Sequence, residues 1–389
     1  MTDSGPRRLG PYYIAMGIAM GSLASVVTLL GDLRDDFGLT EMQIGLIVGS
    51  GFFTAFVTQL TLGRLADRGH APAMVRFGMM AAAAAMAGFA VSSSFLTFVL
   101  ARAALGFAIG LLQPAIRRTV ILTDREHTGR NLGRLGLAEI TGFALTPAAA
   151  AVLVEVGTLD LPFFVIAATT VATLLAMGRL QSDEGLQSIS RESSLQLLRS
   201  PVLAGTLLLV TSQFLMIGAW EAVWAISLTD LGAATWTIGL SFTLFALPMA
   251  AFAPLGGSIA QRTGGLGLAV AGLSFATAAS LLFAVFNSVA ALIIVSMFIG
   301  VGAGFGYTAG LFVFSQTVDD DRQAAAQGLF GATEVLFGGV SSVLAAWMYD
   351  ISGRETVWIV MPILAGIAII GGLALRSSGS HREPQPVDA

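Results

Sequence analysis

The sequence predicts an all-α protein that crosses a membrane twelve times, and three observations predict it. Of its 389 residues, 55% are hydrophobic and only 11% are charged, where a soluble domain carries about 25% charged residues. Apolar runs long enough for a bilayer core of about 30 Å recur along the whole chain. Arginine supplies every basic residue, and the gaps between runs alternate between arginine-rich and nearly arginine-free. So few charges cannot cover a water-facing surface, and the mean hydropathy of +0.81 agrees.

The runs fall at 11–31, 41–62, 73–93, 95–116, 132–155 and 160–178, then at 202–228, 236–258, 266–286, 288–314, 324–348 and 356–375. Each offers the roughly 20 apolar residues that a crossing helix needs. The third and fourth are separated only by Ser92-Ser93-Ser94. The longest gap, Gln181 to Ser200, ends in SLQLLR, which reads as a short interfacial helix. Pro114, Pro147 and Pro248 lie inside runs, either as bends used in gating or as tolerated kinks.

Orientation follows from arginine. With a cytoplasmic N-terminus, every arginine except Arg34, Arg102 and Arg354 lies in an inner tail or loop. Arg34 and Arg354 fall outside and Arg102 falls within a run. That asymmetry predicts an even number of crossings, with both termini cytoplasmic in the inner plasma membrane. Arg7 and Arg8 ahead of an apolar run imitate a signal peptide, but no small-residue cleavage site precedes the second run, so the first helix is expected to be retained.

The chain also repeats itself. Asp36, Gly38, Ile44-Gly45-Leu46, Gly63, Ala66, Arg68, Gly106 and Gly110 recur as Asp230, Gly232, Ile238-Gly239-Leu240, Gly257, Ala260, Arg262, Gly300 and Gly304, each 194 residues on. Arg130, Gly136, Leu137 and Thr141 recur 192 residues on as Arg322, Gly328, Leu329 and Thr333. Six helices repeated in one orientation give two six-helix bundles related by a pseudo-two-fold axis along the membrane normal. The expected division is a bundle over 1–180, a cytoplasmic linker over 181–200, a second bundle over 201–376 and a disordered cytoplasmic tail over 377–389.

Between the second and third runs stands GRLADRGHAP, at residues 63–72. Gly63, Leu65, Ala66, Asp67 and Arg68 resemble the signature loop of the major facilitator superfamily. The weakened copy after the eighth run, and Arg102 with Gly106 in LARAALGFAIG, are similar to that family too, and the resemblance covers essentially the whole chain. The basic pair that usually ends the loop is replaced by Ala71 and Pro72. The glycine-rich motif of drug–proton antiporters is only hinted at by Gly136, Gly142 and Pro147. The resemblance implies a secondary transporter whose signature loop acts as a cytoplasmic gate. In it Arg64 or Arg68 would pair with the run Asp319, Asp320, Asp321 while Asp67 caps or orients locally. The second copy keeps Arg262 but has Gln261 in the aspartate's place, which leaves one intact latch.

Charges inside crossing helices cost roughly 2.5–3.5 kcal/mol each on insertion scales and mark candidate functional sites. Four lie more than a turn from the ends of their runs: Arg102, Glu139, Glu221 and Glu334. At 1.5 Å per residue from the cytoplasmic ends, Glu139 lies about 10 Å deep, Glu334 about 18 Å, Arg102 about 21 Å and Glu221 about 28 Å. Glu334 and Arg102 share the middle layer on opposite halves. A carboxylate whose arginine neighbour comes and goes would bind and release a proton once per cycle. Glu334 is the first choice for that role and Glu139 the second. The plain alternatives are a glutamate hydrogen-bonded in its own packing, and a gate residue at the inner mouth. Glu221 with Trp220 and Trp224 reads either as an aromatic site for a cationic substrate or as a wet rim within an interfacial aromatic belt.

The absence of cysteine removes disulfides and thiol chemistry. No nucleophile–base spacing, metal cluster or phosphate loop favours an enzyme, and no cofactor, metal or nucleic-acid partner is expected. The reading is a monomeric secondary transporter for a small molecule and protons, embedded in the bilayer. Three acids against one base suit export of small apolar or cationic organic compounds. Uptake of a sugar or other metabolite, and a non-transporting sensor of the same fold, remain the alternatives.

Overall fold

The computed structural model describes residues 9–123, 127–178, 180, 194–318 and 323–380. Among them the secondary structure is helical throughout, with no strand. The chain opens with α1 (Gly10–Thr28) and a short α2 (Leu30–Phe37), which Gly38 closes at a φ of 60°. Next, α3 (Glu41–Leu65) is opened by a capping box. The Gln43 amide donates to the Thr40 hydroxyl at 3.2 Å and the Thr40 amide donates to the Gln43 side chain at 2.9 Å. There follow α4 (Ala71–Val91), α5 (Phe95–Thr123), α6 (Thr128–Val156) and α7 (Leu161–Ala176). A single 3-10 turn, Ser194–Arg199, covers SLQLLR. Beyond it lie α8 (Pro201–Asp230), α9 (Thr235–Thr263), α10 (Leu266–Ser280), the single turn α11 (Leu282–Val285), α12 (Val289–Ser315) and α13 (Gln323–Ser380).

Ten helices among the described residues are long and apolar enough to cross a membrane, and α7 is apolar but only 16 residues long. Several boundaries differ from the sequence reading. The run expected at 11–31 stops at Thr28, and the charged α2 forms a separate element. The runs at 324–348 and 356–375 join in one assigned helix, of which Ala326–Ser378 counts as a single 53-residue span. At 1.5 Å per residue that would measure about 80 Å, more than twice a bilayer core. Gly353 interrupts it with φ 77° and ψ −179°, a backbone only glycine adopts freely, so the helix direction breaks there. Helical structure also continues through Ser380, into the segment expected as a disordered tail. The rest of that tail lies outside the described residues.

The chain divides into two compact units. One comprises Met1–Ile189 with Trp224–Ala246, the other Ser190–Val223 with Leu247–Ala389. This differs from a cut at the central loop, because the last turns of α8 and the first half of α9 group with the first-half helices. The first unit has an apolar core built from Met16, Met74, Met79, Leu112, Ile116 and Val120. In the second, Leu203, Leu207, Val210, Phe314 and Phe330 form one cluster and Leu209, Ala260, Leu273 and Ile369 another.

The sequence repeat is also a contact repeat. A methyl group on Gly110 would meet the Ala55 carbonyl oxygen at 3.0 Å, so α5 and α3 approach backbone to backbone. In the second unit a methyl on Gly304 would meet the Met249 carbonyl oxygen at 2.8 Å, bringing α12 onto α9 in the same way. Met249 stands 194 residues after Ala55, the offset that separates the two glycines. Small residues let apolar helices associate by close packing where lipid offers no hydrophobic advantage to association.

Candidate functional site

Among the described residues of the first unit, Arg102 is the only charged side chain buried deep in a crossing helix, at 2% exposure on α5. Gly51 of α3 makes the room, since a methyl there would lie 2.7 Å from the arginine Nε. Further along the same helix pair, the Gln59 side-chain amide donates to Gln113 at 3.0 Å. Glu139 on α6 faces Arg117 of α5 at 3.8 Å, an ion pair too long for a hydrogen bond. Its Oε1 is buried without a donor. The arginine side chain is half exposed and the glutamate's about one-fifth exposed, so one end of the pair is wet.

Glu334 has a different environment. It lies on α13 in the second unit, partly exposed, and the Tyr307 hydroxyl of α12 donates to its Oε1 at 2.7 Å. The Tyr307 ring meets Phe214 of α8 edge-on at 5.9 Å and Phe330 at 6.4 Å, and Phe330 continues to Phe314 at 5.1 Å. A phenol thus donates to this carboxylate beside an aromatic wall, a setting in which a carboxylate can take up a proton or meet a cation over ring faces.

Glu221 and Trp220 are both buried on α8, in the second unit. Trp224, one turn on, belongs to the first unit, is fully buried, and donates its indole N–H to the Ser241 hydroxyl at 2.9 Å. That bond takes up the one polar group through which an interfacial tryptophan meets the headgroup layer. The three residues are therefore not one surface patch, and Trp224 is part of a packed helix contact.

The signature loop is compact. Ala66–His70 form one wide turn between α3 and α4, with Gly69 at φ 85°. Arg68 and Arg262 are exposed, and a methyl on Gly63 would meet nothing within 4 Å. Close packing therefore does not explain that glycine. The side chains of Arg64 and Asp67, and the whole of Asp319, Asp320 and Asp321, lie outside the described residues, so the expected latch has no geometry here. A groove of about 420 Å³ between α4 and α7, lined by Phe77, Met80, Leu174 and Leu175 with Arg76 at its edge, is apart from every acid named above. Its exposed Phe77, Met80 and Leu175 belong to the apolar outer faces that a bilayer covers.

Two features escaped the sequence reading. Tyr307 carries no signal, being one phenol in an apolar run. The second is a polar cluster at α2. Arg34 bonds Asp35 at 2.8 Å and Asp230 at 2.6 Å and reaches Glu41 at 3.4 Å, while the Thr235 hydroxyl donates to Asp32 at 2.9 Å. Its one hint was that Arg34 is an isolated arginine in an otherwise acidic gap.

Crossing helices, paired glycine contacts and polar groups isolated in apolar surroundings define a multi-pass helical membrane protein. The model of the Major Facilitator Superfamily matches residues 12–228 and 209–388, and the chain belongs to that family. No curated protein matches it. Among solved structures it is similar to a bacterial homolog of the human lysosomal transporter Spinster, in an inward-facing and occupied conformation, at 13% identity and a TM-score of 0.78 over 99% of this chain and 100% of that one. It is also similar to the nucleoside transporter NupG, at 13% identity and 0.74 over 94% and 98%, and to the human organic anion transporter MFSD10 (TETRAN), at 17% and 0.67 over 94% and 98%. These likenesses show the major facilitator fold. The protein is thus a transporter with a small-molecule substrate, and not an enzyme.

Proposed function

We propose that the chain exports small apolar or cationic organic compounds in exchange for protons, by alternating access, with Glu334 as the proton-binding group. The observation that carries this reading is Glu334 accepting from the Tyr307 hydroxyl, beside the rings of Phe214 and Phe330. A carboxylate so placed is costly in an apolar span, and that cost is offset most simply by a role. Arg102, at the matching depth in the other half of the sequence, is the partner whose approach would expel the proton. Glu139 with Arg117 is the second choice, as a gate at the inner mouth.

One acid suffices energetically. A charge crossing 100 mV supplies about 2.3 kcal/mol and one pH unit about 1.4 kcal/mol, which together sustain a gradient of roughly 500-fold. In this reading there are twelve crossings, with α13 counted on both sides of Gly353, α10 and α11 as one, and α7 as a short sixth. The termini are cytoplasmic, the membrane is the inner plasma membrane, and the protein works as a monomer. The arginine distribution supports the orientation.

The test is an efflux assay in a host stripped of its own exporters, comparing the natural chain with Glu334→Gln and Arg102→Ala across cationic dyes and antibiotics. The exporter reading expects both variants, present in the membrane, to lose resistance and retain dye. If accumulation is the same for every compound with or without the protein, the reading is wrong. Uptake of a polar metabolite would show instead as accumulation that rises with expression.

A further inference from the structure

Trp224–Ala246 belongs by sequence to the second half, yet it is bound into the first unit. The bonds responsible sit together. Arg34 of α2, its side chain only 12% exposed, reaches Asp230 at the end of α8, and Asp32 of α2 accepts from Thr235 at the start of α9. Alongside them the Thr243 hydroxyl donates to the Ala144 carbonyl at 2.5 Å, and Phe143 meets Phe242 at 5.8 Å. Together these contacts tie α2 to the α8–α9 turn.

We infer that Arg34–Asp230 and Asp32–Thr235 form a clasp that holds this end shut, and that Asp32 is its proton-binding site. Thr235 occupies only one oxygen of Asp32; Oδ2 is buried with no hydrogen-bond partner. An ionised carboxylate in that position wastes an acceptor in a dry site, whereas a proton placed on Oδ2 removes the charge. The charged groups around it are Arg34, Asp35 and Asp36 on α2, Glu41 at the head of α3 and Asp230 on α8. The guanidinium is already engaged with Asp35, Glu41 and Asp230. What remains for Asp32 is mainly like charge.

The pH dependence has a definite sign. Burial, reinforced by Asp36 and Asp35 and opposed by the Thr235 hydroxyl, raises the Asp32 pKa above its ordinary value in the clasped state. Parting the clasp hydrates the carboxylate and returns it toward that value. A group whose pKa is higher in the closed state binds a proton more tightly there, so closure is favoured in acid and weakens as pH rises through the raised pKa. Arg34, held by its acids, is pushed further above its already high value and stays charged throughout, so it supplies strength but no pH response. This clasp does not depend on which substrate the protein carries or in which direction.

The natural chain has no cysteine, so Ser93→Cys in the α4–α5 turn and Ala234→Cys in the α8–α9 turn, both exposed, accept spin labels uniquely. Distance distributions in nanodiscs between about pH 4 and about pH 8 report closure from the ordinary aspartate pKa of about 3.9 upward. The short-distance population should grow severalfold as pH falls in the natural background. Asp32→Asn should hold it high and nearly flat with pH, and Arg34→Ala should lose it at every pH, with Asp230→Asn as the second variant if Arg34→Ala does not fold. A pH response that survives Asp32→Asn unchanged overturns the proton site. A short-distance population that survives both Arg34→Ala and Asp230→Asn overturns the clasp.

Discussion

The two halves of the chain share a scaffold and differ in chemistry. Gly110 on Ala55 and Gly304 on Met249 are the same backbone contact made twice, at one sequence offset. Around it the polar groups diverge. The first half buries Arg102 where the second, 194 residues on, has Ser296, whose hydroxyl only bonds back to the Ile293 carbonyl. In the first half an arginine faces Glu139, and in the second a phenol donates to Glu334. Packing is indifferent to which half it builds, because a close backbone approach needs only the missing Cβ. The proposed exchange for protons would use such unlike groups on the two sides to discriminate one state from the other.

That comparison can be broken first at the glycines. Gly110→Ala and Gly304→Ala each force a methyl toward a carbonyl oxygen, and overpacking of this kind costs about 1–3 kcal/mol. Thermal unfolding in detergent should show both variants less stable by a few degrees and by similar amounts. A large effect at one glycine and none at the other would end the idea of a shared scaffold.

The acids come next. Under the proposed export in exchange for protons, Glu334→Gln should lower transport by tenfold or more, while Glu139→Gln should lower it less, because Arg117 is half exposed and can be solvated when its partner is neutral. Equal losses would mean that the two halves share the proton. Tyr307→Phe removes one hydrogen bond to a charged group, worth about 1.5–3 kcal/mol when that group is ionised, so transport should fall by roughly tenfold or more, with a shifted pH profile. An unaltered profile would make Tyr307 mere packing. The smallest effect is expected at the signature loop. Asp67→Asn should reduce transport a few-fold at normal membrane levels, and unchanged transport would remove Asp67 from the gate.

How much of this was legible beforehand depends on how local each feature is. The crossing segments were readable because a bilayer demands a continuous apolar stretch, and that is a property of consecutive residues. The break at Gly353 was not, since any of the 46 glycines is permitted a positive φ and only the tertiary structure selects those that use it, Gly353 among them. Arg102 and Glu334 stood out as charges in apolar runs, but Tyr307 did not, because a phenol is cheap in either setting. Trp224 looked exposed beside Glu221, yet it is sealed against Ser241.

The sequence alone determined an all-helical membrane protein with a doubled plan and a few costly charges, because hydropathy, glycine spacing and arginine bias are written along the chain. Only the tertiary structure decided which groups compensate those charges, and that the turn from Asp230 to Thr235 is bound to Arg34 and Asp32 nearly two hundred residues earlier. Those pairings join helices far apart in sequence, and no local pattern encodes which ends will meet.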